Sequence, residues 1–153
     1  MIYKTYTNRT MPLTFDENKQ NCERYLQEVI DYKYRGKDDK TTRDLTTLKD
    51  ECKGYKQNLN THCNTIEELM DFRMRMENTW EQFCAKVSTP AEGSWEMSMF
   101  LSIKSKMDAC ISSLKQMEAR IKSGHGPDLT EQNASLDTQV QISKSLAELK
   151  RFL

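Results

Sequence analysis

The chain has 153 residues, enough for one ordinary domain with its own core. Twenty-three basic residues balance 23 acidic ones, so the formal net charge is zero, which excludes a general affinity for nucleic acid or anionic membranes, since both need a clear basic excess. No apolar run reaches the ~18 residues that a membrane span requires, and the N-terminal MIYKTYTNRT has neither the apolar stretch nor the small-residue cleavage site of a secretory signal.

The five cysteines are odd in number and widely scattered. That usage suits a reducing compartment better than a disulfide framework, and it predicts an intracellular protein, cytoplasmic or nuclear. The N-x-[ST] matches at Asn8 and Asn133 then read as chance. Residues 1–13 show no periodicity and are expected to be a flexible lead-in to a single helical domain over 14–153. Leu153 falls inside an apolar pattern, which leaves open that the chain is a fragment of a longer protein.

Pro12, Gly36, Pro90, Gly93, Gly124, Gly126 and Pro127 cut the sequence into four segments, each with helical rather than strand spacing. The first, about 14–35, opens with Thr14 and Glu17 as a capping box and carries an apolar stripe at Cys22, Leu26, Val29 and Ile30. Gly36 is expected to end it in the left-handed conformation. Beyond it, Lys33, Arg35, Lys37, Lys40 and Arg43 are interspersed with Asp38, Asp39 and Asp44, the pattern of a solvated turn.

The second segment, about 41–88, carries the strongest repeat. Counting in sevens gives Leu45, Cys52, Leu59, Ile66, Arg73, Trp80 and Val87, with Leu48, Tyr55, His62, Leu69, Met76 and Phe83 as the companion set. Only Arg73 and His62 are polar, and such entries commonly fix register or oligomeric state. The stretch NLNTHCNTIEEL, 58–69, is a poor helix former in the middle of this segment. Because the repeat keeps its phase on both sides, one continuous, bent helix of roughly 70 Å is expected. The alternative is a new helix starting at Asn64 with Glu67 or at Thr65 with Glu68.

The third segment, about 94–122, repeats Phe100, Ile103, Met107, Cys110, Leu114, Met117 and Ile121 without a polar entry. The fourth, about 129–152, begins with Asp128 and Glu131 and turns apolar at Ile142, Leu146, Leu149 and Leu153. Together these predict an all-α fold: an elongated antiparallel bundle of four helices with coiled-coil-like packing around one very long central helix. Unequal lengths would leave apolar stripe uncovered, so a homodimer or a partner helix is expected.

Spacing argues against catalytic and metal sites. Adjacent His62 and Cys63 point about 100° apart on a helix, and Cys52 and Cys63 are roughly 16 Å apart at helical rise. Neither histidine sits beside a cysteine at a helix N-terminus, there is no Glu-x-x-His motif, and no glycine pair opens a helix as a phosphate loop does. No cofactor, metal or small-molecule substrate is therefore expected. Trp95 and the off-stripe Met70, Met74, Met97 and Met99 are the candidate partner contacts, since thioethers and aromatics suit adaptable helix recognition. The favoured function is a non-enzymatic interaction or scaffold module. A self-assembling, capsid-like structural subunit of viral or retroelement origin is the second reading, and a metal-binding or catalytic bundle is the third.

Overall fold

A computed structural model describes residues 13–127. The segment expected at 129–152, and all but the last residue of the expected lead-in at 1–13, lie outside them. The described residues form four α-helices and no strand: α1 (Phe15–Ile30), α2 (Asp39–Asn58), α3 (Ile66–Val87) and α4 (Trp95–Lys122).

Each helix packs on its neighbours in sequence, and α4 closes the ring against α1. Cross-helix contacts show that every neighbouring pair runs antiparallel. Lys49 Nζ donates to the Tyr32 carbonyl while Lys56 Nζ reaches Gln27 further back along α1. Lys40 Nζ donates to the Lys86 carbonyl (2.6 Å), joining the start of α2 to the end of α3. Tyr55, near the end of α2, sets its ring edge-on to Phe72 near the start of α3. The result is an up-down-up-down bundle around one core.

The long central helix does not exist. α2 ends at Asn58, α3 begins at Ile66, and the connection 59–65 folds the chain back on itself. Two helices of 20 and 22 residues, about 30 and 33 Å long, lie side by side where a single helix of roughly 70 Å was expected. The elongated shape falls with it, and so does coiled-coil packing along a continuous seam. The repeat misled for a simple reason. Every core residue it named on α2 and α3 does face inward or partly inward apart from His62, but each helix carries its own stripe. A connection of seven residues preserves a count in sevens whether or not it is helical.

The elbow has identifiable local causes. The Asn58 carbonyl accepts from both Thr61 N (3.1 Å) and His62 N (2.9 Å), which turns the chain out of the helix. Leu59 and Cys63 are both fully buried and pin the turn under the core. Thr65 then caps α3: its side chain accepts from Glu68 N (3.1 Å) and Glu68 Oε1 accepts back from Thr65 N (3.3 Å). This is the alternative helix start read from the sequence, satisfying two otherwise orphaned N–H groups.

The capping box at Thr14 and Glu17 forms as expected, but α1 ends at Ile30 rather than near Arg35. Residues 32–38 form no regular element, and exposure alternates at their start, with Tyr32 and Tyr34 half-buried and Lys33 and Arg35 exposed. Gly36 is not the helix terminator. It gives room for the Tyr34 ring, whose hydroxyl would meet a Cβ at 2.1 Å. The Tyr34 hydroxyl in turn lies 2.6 Å from both Asp38 Oδ1 and Glu96 Oε1, tying this linker to the first turn of α4. Ser94 caps α4, accepting from Met97 N (3.1 Å), so Pro90 stands in the preceding turn and not at the first helical position.

The core is continuous from Phe15, Leu26 and Val29 through Leu48, Leu69 and Met76 to Ile103, Met107 and Leu114. Burying each such side chain contributes about 1.5–3 kcal/mol relative to exposure. Three of the largest fully buried groups on α4 are methionines, Met99, Met107 and Met117, and their unbranched side chains fill irregular space between helices of unequal length. Among the described residues, no helix is long and apolar enough to cross a membrane.

Candidate functional site

The residues singled out from the sequence do not form one surface. Trp95 stands at the start of α4, 52 % exposed, with the Arg35 guanidinium 5.5 Å from its ring centre. Met97, in the same turn, is half-buried. Met99 is fully buried in the core and presents nothing to a partner, although it lies off the seven-residue repeat. Met70 and Met74 are exposed, at 37 % and 59 %, but they lie on the first turns of α3. Because α3 and α4 are antiparallel, that is the far end of the bundle from Trp95.

His62 and Arg73 also part company. His62 is exposed in the elbow, its Nδ1 2.7 Å from Thr61 Oγ1, and it is not a polar entry in a helical stripe. Cys63 beside it points into the core, so the pair faces two different environments. The elbow borders a shallow pocket of about 190 Å³, lined by Tyr55, His62, Asp71, Phe72 and Arg75 among others. Arg73 does sit in the helix interface. Its Nε and Nη2 donate to the two carboxylate oxygens of Glu118 on α4, and its Nη1 donates to Glu77 (2.6 Å). The hydrogen bond to Glu118 is the main reason the Arg73 pKa is pushed above its usual value. This forked pair joins α3 to α4 within one chain. Glu118 was not singled out in the sequence. A half-buried arginine on one stripe requires an acid at the matching level of the antiparallel helix, and Glu118, directly after the core residue Met117, is where that acid stands.

A second cluster, equally unmarked in the sequence, forms the outer face of α3 and α4. A groove of about 390 Å³ opens between them, lined by Glu77, Trp80 and Glu81 from α3 and by Asp108, Ile111 and Lys115 from α4. Trp80 is otherwise a core residue, 9 % exposed, with its ring stacked between Phe83 (5.5 Å) and Phe100 (5.7 Å). Helical spacing extends the groove at both ends. Met70 and Met74 continue the α3 strip that carries Glu77 and Glu81, and Leu101 continues the α4 strip that carries Asp108 and Lys115. Leu101 is 55 % exposed. The face thus combines three exposed apolar side chains with charges of both signs.

No family model matches this chain, and neither does any curated protein or solved structure. The functional reading rests on the chain's own geometry. Among the described residues, no group of three or more His, Cys, Asp or Glu side chains is placed to share a metal ion. Burial pushes the Cys52 and Cys63 thiols up to about 12, far from the depressed values of reactive cysteines. The two are packing residues.

Proposed function

We propose that the protein is a non-enzymatic interaction module that associates with a second copy of itself through the outer face of α3 and α4. The observation that carries this reading is the groove between those helices, flanked by the exposed Met70, Met74 and Leu101. Single exposed apolar residues need no explanation, but three that stand beyond the two ends of one groove on the same helix face make that face a candidate interface.

Charge favours a copy of the same chain as the occupant. The face carries acids at Glu77, Glu81 and Asp108 and bases at Lys104 and Lys115. A two-fold pairing that sets the α3 strip of one copy against the α4 strip of the other brings one copy's lysines to the other's acids. The two α3–α4 faces would then pack as a further layer of helices, with the methionines adapting to the fit.

The test is sedimentation velocity on the full chain across a range of concentrations, with Met74→Glu/Leu101→Glu as the variant. The wild type is expected to plateau at a dimer, and the variant to remain monomeric with unchanged helical circular dichroism. A wild type that stays monomeric at every concentration would overturn the proposal. Size that grows without a plateau would replace it with the self-assembling structural subunit.

A further inference from the structure

Cys22 lies near the middle of α1 and Cys110 near the middle of α4, both fully buried. They meet across the one helix pair that closes the ring. Cys110 Sγ is 3.6 Å from the Cys22 carbonyl oxygen and 3.6 Å from Met76 Sδ. All five cysteines are thiols, and Cys110 faces Cys22 directly across the helix pair, its sulfur against the Cys22 backbone. Neither Cys52, Cys63 nor Cys84 has such a counterpart among the described residues. An odd count of cysteines therefore resolves into one facing pair and three separate thiols.

We propose that Cys22 and Cys110 are an oxidative modification site, at which an intramolecular disulfide locks the first helix of the bundle to the last. The oxidant is a disulfide, either a small molecule or a thiol–disulfide exchange protein. One cysteine of the pair, having lost its proton to solvent, attacks a sulfur of that disulfide and displaces a thiolate. The second cysteine, likewise deprotonated, attacks the protein sulfur of the mixed disulfide and displaces the other thiolate. Two protein thiols become one disulfide, and the external disulfide becomes two thiols. Because both sulfurs are sealed in the core, the exchange runs while α1 is undocked, during folding or local opening, and the native thiol form reacts slowly.

The two residues are 88 apart in sequence. A cross-link over so long a loop removes much of the freedom of the unfolded chain, and it ties down the interface between α1 and α4. The expected gain in Tm is on the order of 10 °C.

The experiment refolds the full chain in a buffer of oxidised and reduced glutathione, quenches with acid, and alkylates the remaining thiols in denaturant. Intact mass and peptide mapping are expected to show three alkylated cysteines and a linked peptide pair containing Cys22 and Cys110. Oxidised protein should melt well above reduced protein, and Cys110→Ala should abolish that difference. Five alkylated cysteines after oxidative refolding, or a linkage between any other two, would overturn the proposal. If Cys110→Ala does not fold, the peptide map of the wild type and the Cys52→Ala/Cys63→Ala/Cys84→Ala variant's retention of the −2 Da shift still decide it.

Discussion

Glu118→Ala is expected to lower the unfolding free energy by about 3 kcal/mol, the cost typical of leaving one member of a buried ion pair alone. The Glu118 side chain is only 8 % exposed and that of Arg73 18 %. The substitution leaves a largely desolvated guanidinium with Glu77 as its remaining partner, and Glu77 is 34 % exposed and correspondingly screened. Replacing both partners removes the stranded charge, so Arg73→Met/Glu118→Met should lie within about 1 kcal/mol of the wild type. Glu77→Ala should cost less than about 1 kcal/mol. Urea unfolding of the single and double variants, read as a double-mutant cycle, measures the coupling directly. A Glu118→Ala variant as stable as the wild type would show that α3 and α4 are held together by apolar packing alone.

The second large effect belongs to the elbow. Leu59 is fully buried although it lies outside any helix, and Leu59→Ala should cost about 3 kcal/mol through lost burial and the cavity left behind. Exposed Asn60 beside it should tolerate alanine within about 0.5 kcal/mol. Thr65→Ala adds a sign test. In a continuous helix alanine at this position would be stabilising, because threonine is the poorer helix former. As the cap of α3, Thr65 accepts from Glu68 N, and its loss should instead destabilise by about 1 kcal/mol. Thermal or urea unfolding of the three variants gives both the size and the sign.

Much of the fold could be read from the residues, because the signals were local. The stripes through Leu26, Leu48, Met76 and Met107 named the core correctly, and the Thr14–Glu17 box marked the start of the first helix. What the sequence hid was direction. Leu59 and Ile66 fit the same count in sevens, but the count is silent about whether the chain between them runs on or turns back. The decisive marks were the weak helix formers of 58–65 and the second capping box at Thr65–Glu68. The linker after α1 was also legible in retrospect, since Tyr32-Lys33-Tyr34-Arg35 alternates with the period of extended chain.

The candidate site was less legible, because it depends on which helices become neighbours. Met99 looked like a surface residue because it falls outside the seven-residue repeat of α4. A helix that touches both α1 and α3 buries a wider arc, and Met99 falls within it. Trp95 and Met74 looked like one patch because both flank the second turn in sequence, yet the antiparallel course of α3 and α4 places them at opposite ends. The pairing of Arg73 with Glu118, the approach of Cys22 to Cys110 and the groove beside Trp80 are all products of helix order, which no single segment encodes.

The turn at 59–65 underlies every one of these features, since it creates both the closed ring of helices and the outer face of α3 and α4. Its most direct test is a distance between the far ends of α2 and α3. Spin labels introduced through non-canonical residues at the exposed Arg43 and Lys86 can be measured by pulsed electron–electron resonance without disturbing the native cysteines. The bundle predicts a narrow distribution at roughly 10–25 Å, the spacing of adjacent helices plus the label arms. A peak near 65 Å, the rise of an unbroken helix between the two positions, would contradict it.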